Sequence, residues 1–220
     1  MKKKIILLMM LLAIVGGLNL SQLRAQQTVT FNFNDGSLAG WRTFTSEGNA
    51  GNGWSISPEV PSYLPATYQT IYKGVDNTNC LVSMSYGLVN STAYKPNGYI
   101  VTETAYQVTA ESKISWQVKA PFSVGEYYEI VVSLDNVEWN SIYSETTNAS
   151  SMQTRECPLG EYAGQTLYVG FRHFRETSNS NASHICIDDV VLSSVIPGGT
   201  GGAKLQILTN LQLLQLLQLL

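Results

Sequence analysis

Along most of this chain apolar and polar residues alternate one by one, and apolar residues almost nowhere recur every three or four positions. The alternation is clearest at 113–119. Ile114, Trp116 and Val118 share one face there, and Lys113, Ser115, Gln117 and Lys119 the other. Residues 127–134 repeat it with Tyr128, Ile130, Val132 and Leu134, and residues 28–33 with Val29, Phe31 and Phe33, ending in the turn signal Asn34-Asp35-Gly36. Residues 166–174 set Leu167, Val169 and Phe171 against Tyr168, Gly170 and Arg172. An apolar run at 184–192 follows and carries two adjacent aspartates, Asp188 and Asp189. Further extended segments are predicted around 41–44, 54–56, 80–86, 99–102, 138–145 and 155–159. A Gly/Asn-rich loop at 46–53 and a segment broken by Pro58, Pro61 and Pro65 lie between them. Roughly nine strands separated by turn signals predict an all-β protein folded as one β-sandwich domain. In such a fold both ends of the domain can lie in adjacent strands, which would bring the Asn34-Asp35 turn near Asp188 and Asp189.

The two ends of the chain break the pattern. Lys2, Lys3 and Lys4 precede an apolar stretch at 5–15 that is too short for a comfortable membrane span, and Leu23-Arg24-Ala25 offers a cleavage site. Residues 1–25 therefore read as a signal peptide and residues 26–195 as the exported domain, with no membrane span in the mature form. Residues 196–204 are a Gly-rich linker. In the tail, 205–220, Gln-Leu-Leu repeats every three residues, so its leucines drift around a helix and hold no single stripe. Two readings of this tail stay open: a Thr/Pro-repeat linker translated in a shifted frame, or a Leu-rich helix that packs on a partner.

Charge narrows the partners. Loss of Lys2, Lys3, Lys4 and Arg24 leaves 9 basic against 16 acidic residues, a net charge near −7. That balance does not indicate a basic surface for nucleic acid or anionic lipid, and neither is expected as a partner. Three cysteines, Cys80, Cys157 and Cys186, allow at most one disulfide, and no spacing selects the pair, although Cys157 with Cys186 is one option.

Candidate chemistry concentrates in the last strands. Two adjacent carboxylates in an apolar run need compensation, from a cation, from Arg172 on the preceding strand, or from solvent. His184, Cys186 and Asp188 share a strand face at alternate positions, a spacing open to zinc or Cys–His chemistry, but His173 is the one other histidine. No phosphate loop, Ser-His-Asp arrangement or pair of catalytic carboxylates stands out, so no enzyme activity is expected. Tyr63, Tyr68, Tyr72 and Trp139 fall in loop or edge contexts, where aromatics stack on sugars or anchor protein interfaces.

Several pieces, in order, resemble the cleaved-adhesin domains of the haemagglutinin/adhesin regions of gingipain-type secreted proteases, and the related choice-of-anchor J jelly rolls. They are Phe33-Asn-Asp-Gly36 with Trp41, Gly53-Trp54, Asn97-Gly-Tyr-Ile-Val-Thr102, Lys113-Ile-Ser-Trp116, Tyr127-Tyr-Glu129, Leu167-Tyr-Val-Gly-Phe-Arg-His-Phe174 and Ile187-Asp-Asp-Val190. The resemblance implies a galactose-binding-like jelly-roll β-sandwich without catalysis. It also implies bound calcium, with Asn34, Asp35 and Asp188 as ligands, although Asp35 has a second reading as the acceptor of an Asx-turn. Glu47 alone stands in a loop that is often aspartate-rich in the family, and Cys186 stands where many relatives carry aspartate. Both departures reduce the hard oxygens open to calcium. The function expected is a secreted, cell-surface-type adhesin module for a host or extracellular protein or glycan. The alternatives are a carbohydrate-binding module and a truncated, non-catalytic remnant of a larger secreted protease.

Overall fold

The structure is a computed structural model. It describes residues 26–45, 53–65, 68–87, 92–121, 125–176 and 184–197, so the leader and the tail lie outside the described residues. Thirteen strands follow in order: β1 (Gln27–Phe31), β2 (Trp41–Thr45), β3 (Ser55–Ile56), β4 (Leu81–Met84), β5 (Tyr86–Gly87), β6 (Thr92–Ala93), β7 (Asn97–Thr102), β8 (Tyr106–Lys119), β9 (Glu126–Ser133), β10 (Asn140–Thr147), β11 (Gln153–Pro158), β12 (Thr166–Phe174) and β13 (His184–Pro197).

All pairings are antiparallel. One layer runs β2–β7–β12–β9–β10. The other runs β11–β8–β13, and β13 takes β4 along its first half and β1 along its second, with β3 beyond β4. The layers join where Thr166 and Leu167 of β12 pair with Gln107 and Tyr106 of β8, so one sheet curls over on itself. This is an all-β jelly-roll sandwich.

The alternation read from the sequence sets what lies between the layers. Trp116 is at the centre, 5.8 Å from Phe171, 6.1 Å from Tyr128 and 5.4 Å from Tyr143 by ring centroids. Its indole N–H donates to the Tyr128 hydroxyl at 3.1 Å, and that hydroxyl donates to Glu145 at 2.8 Å. Arg155 grips the same carboxylate at 2.8 to 3.1 Å and, as the largest influence, holds Glu145 below the usual carboxylate range. A buried aromatic core thus carries its own polar exit, which satisfies groups that would otherwise cost stability.

The structure corrects several expectations. The strand expected from residue 113 begins at Tyr106, and the last strand, expected at 184–192, runs to Pro197. Leu134, expected inward, is 59 % exposed, because β9 ends at Ser133 and the chain turns off the sheet. Phe33 adopts φ 53° just beyond β1, which turns its ring into the core from a non-strand position. Bulges interrupt β13 at Asp189 and Ser194, both with positive φ, and reset its face so that Ile187, Val190 and Leu192 all point inward.

Candidate functional site

The outer face of the β2–β7–β12–β9–β10 layer carries a row that crosses every strand: Phe44, Tyr99, Arg172, Glu129 and Ser144 stand side by side. Phe44 and Tyr99 stack at 4.7 Å with their rings 5° from parallel. Arg172 lies 5.3 Å over Tyr99 and 4.4 Å over Phe174, donates to Glu129 at 2.9 Å and to Asn97 at 2.9 Å. Tyr127 extends the patch, 6.4 Å from Phe174. Each of these aromatics is half-buried.

A loop walls one end of this face. The Asp135 carboxylate accepts the backbone N–H groups of Val137 and Glu138, both at 2.9 Å, and these bonds hold its pKa below the usual value. The turn so formed lays Trp139 against Phe44 at 5.8 Å and Tyr99 at 6.5 Å, and Asn136 accepts a hydrogen bond from Arg42. Pinned aromatic and guanidinium planes of this kind bind ligands with little entropy left to lose.

The opposite layer presents the stripe His184, Cys186 and Asp188 on its outer face. Residues 57–65 and 68–79 pack over it. His184 Nε2 donates to the Ile71 carbonyl at 3.1 Å, and the Cys186 thiol points at the same oxygen at 3.5 Å. Asp188 accepts the Val75 N–H at 2.9 Å and the Asp189 N–H at 2.8 Å. A side chain on Gly74 would place its Cβ 2.0 Å from the Asp188 carboxylate, so only glycine allows the chain to close there. The stripe is a clamp for residues 68–79. Among the described residues no three His, Cys, Asp or Glu side chains gather as a metal site.

A third polar cluster was not legible in the sequence. Ser83 Oγ lies 2.8 Å from His173 Nδ1, and His173 Nε2 lies 3.0 Å from Glu126. Ser85 donates to the same carboxylate, and Arg175 reaches it at 3.3 Å. A Ser–His–Glu chain of this type suits nucleophilic catalysis only if substrate reaches the hydroxyl. Ser83, His173 and Glu126 are fully buried, so this arrangement cross-braces β4, β12 and β9. Its members come from three distant segments, which no local spacing reveals.

No family model matches the sequence, and no curated protein matches it. Solved structures do. The K1 cleaved adhesin domain of Lys-gingipain from Porphyromonas gingivalis W83 aligns with TM-score 0.61 and 22% identity, over 76% of this chain and 98% of that domain. The K3 cleaved adhesin domain of the same protein aligns with TM-score 0.57 and 22% identity, over 76% and 98%. The fold is that of a cleaved adhesin domain.

Within this cleaved-adhesin fold, the residues singled out from sequence have the following places. Asp35 makes the Asx-turn, accepting the Ser37 N–H at 2.9 Å, and Asn34 offers its main-chain carbonyl to Asn79 at 3.4 Å. Asn79 adjoins Cys80 at the end of the turn that sits on Asp188, so the Asn34-Asp35 turn and Asp188 are linked through segment 73–79. Arg172 does not pair with Asp188; it serves the other layer, on Glu129. Trp139 joins the aromatic face, and Tyr63 is 75 % exposed on a separate loop. Tyr68 is half-buried. Tyr72 is buried, edge-on to His184 at 4.5 Å, because its ring fills the seam between residues 68–79 and the sheet. The option of a Cys157–Cys186 disulfide fails: Cys157 packs in the central core and Cys186 in a separate cluster on the outer face.

Two buried groups of the clamp give the cleaved-adhesin fold a testable pH response. Burial, the main cause, pushes Asp188 up to about 6 and His184 down to about 4. The raised acid makes the folded state hold its proton more tightly, so Asp188 adds stability as pH falls from about 6 towards 4. The lowered base lets the unfolded state take its proton first, so His184 removes stability over almost the same window. Each contributes at most about 1.4 kcal/mol per pH unit, and the two oppose. Asp188→Asn removes the first and leaves the second. Relative to the parent, this variant should lose about 1.4 kcal/mol per pH unit between pH 6 and 4. Urea titrations at pH 6, 5 and 4 measure this, and parallel profiles for the two proteins would sink the assignment.

Proposed function

We propose that this protein is an exported, non-catalytic binding module that holds an extracellular macromolecule on the aromatic face of the β2–β7–β12–β9–β10 layer. The observation that carries the reading is the row Phe44–Tyr99–Arg172 with Trp139 against it. Four planar side chains are fixed by one another and remain half-buried. The similarity to cleaved adhesin domains supports the adhesin class of function. The half-buried aromatic cluster beside Arg172, Glu129 and Asn97 favours a second reading, a glycan ligand, because aromatic surface takes the apolar face of a sugar while forked donors and acceptors take its hydroxyls.

The test is a binding comparison of the parent with Tyr99→Ala and Arg42→Ala on glycan arrays and on surfaces coated with extracellular-matrix and plasma proteins. Loss of a central aromatic anchor costs about 2 kcal/mol or more, a thirtyfold drop in affinity. Retention of full binding by Tyr99→Ala would remove this face from the function. Glycan signals that disappear with Tyr99 would select the carbohydrate reading.

We also propose that calcium stiffens the module at Asp188. The support is a fully enclosed carboxylate at the turn 73–79, which is linked to the Asn34-Asp35 turn through Asn79. Calcium at 100 times its Kd should stabilise the protein by about 2.7 kcal/mol. Thermal melts in calcium and in chelator measure this. Asp188→Asn should abolish the difference, and equal melting temperatures for the parent in both conditions would overturn the site.

A further inference from the structure

Beneath residues 68–79 two cysteines meet. Cys186 is opposite Val82 in the β13–β4 ladder, and Cys80 is two residues before Val82, on the same outer face. Their thiols point at neighbouring carbonyls, Cys80 at Tyr72 (3.2 Å) and Cys186 at Ile71 (3.5 Å), and the two side chains pack in one buried cluster. Both are fully buried, among Tyr72, Val82, Val60 and Met84. No third metal-ligating side chain completes a site here among the described residues. The leader predicted at 1–25 would carry the chain to a compartment where thiols are oxidised.

We propose that Cys80 and Cys186 form a disulfide as the exported chain folds in the presence of a small-molecule disulfide. The Cys thiolate that reacts first attacks the small disulfide, forms a mixed disulfide and releases one small thiol. The second Cys thiolate attacks the protein sulfur of that intermediate and releases the other. The two cysteines lose two protons and two electrons in all, and the small disulfide is reduced to two thiols. The exchange takes place before residues 68–79 pack down, because the folded chain leaves neither sulfur accessible. The bond ties the entry of β4 to β13, directly under the segment that the His184–Cys186–Asp188 stripe clamps. The Cys157 thiol, in the central core, stays free.

Refolding of the full chain in a mixture of reduced and oxidised glutathione, followed by alkylation and peptide mass spectrometry, tests this. The expected product has lost two hydrogen atoms, carries one alkylated cysteine, Cys157, and yields a bridged peptide that joins Cys80 to Cys186. Cys157→Ser should give the same bridge. The bridge closes a loop on the order of 100 residues, so reduction should lower Tm by about 10 °C in the parent. Reduction should leave Cys186→Ser unchanged. Native reduced protein placed in the same mixture should oxidise at least tenfold more slowly than refolding protein. Three alkylated cysteines after refolding, or a bridged peptide that contains Cys157, would overturn the proposal.

Discussion

Replacing Glu126 with alanine should lower the unfolding free energy by about 3–5 kcal/mol. Glu126 has no exposed surface, yet its carboxylate receives Ser85, His173 and Arg175. Deletion strands a guanidinium and an imidazole that the fold has already taken out of water, and that desolvation has no return once their acceptor is gone. The melting temperature of a domain of this size should fall by about 10 °C or more. Glu126→Gln keeps an acceptor but removes the charge opposite Arg175, so its loss should lie between parent and alanine. Guanidinium unfolding of the three proteins decides the matter. A loss under about 1 kcal/mol for alanine would mean that water enters and satisfies the stranded groups.

Gly170→Ala should be nearly as damaging, by steric means. Gly170 faces Val101 across the β7–β12 ladder, and a Cβ there would stand 2.3 Å from the Ile100 carbonyl oxygen and 2.7 Å from the Val101 Cα. Those are backbone atoms in the middle of a sheet, so the two strands must separate. Overpacking of this kind costs about 3 kcal/mol or more where backbone has to move. The same seam aligns Tyr99 with Arg172, so ligand binding should fall together with stability. A Gly170→Ala protein that melts like the parent would show that the strands meet with more slack than this geometry allows.

The sequence pattern was strongest where burial follows a strict period of two. The face of Ile114, Trp116 and Val118 was readable because those side chains meet the core on an uninterrupted strand. It failed where the backbone breaks the period: at Leu134, just past a strand end, and at Asp189 and Ser194, where bulges reset the face of β13. The shared face of His184, Cys186 and Asp188 was legible, but its partner was not, since the Ile71 and Val75 main chain lies more than 100 residues away. The aromatic site was half legible. Trp139 stood out from its loop context, while Phe44, Tyr99 and Arg172 read as ordinary strand residues, because what makes them a site is lateral register between β2, β7 and β12. Tyr72 misled for the opposite reason: a loop that folds back onto a sheet buries its aromatics.

The position of β13 sets a timetable for the whole molecule. This final strand receives β1, β4 and β8, so three earlier segments each lack a ladder partner until residues 184–197 have been made. Pairing of β1 with β13 joins residues near 27 to residues near 195, about as remote as two parts of the domain can be. Contacts of that separation are slow to find. A nascent chain therefore has no complete sandwich to form until its last strand has been made.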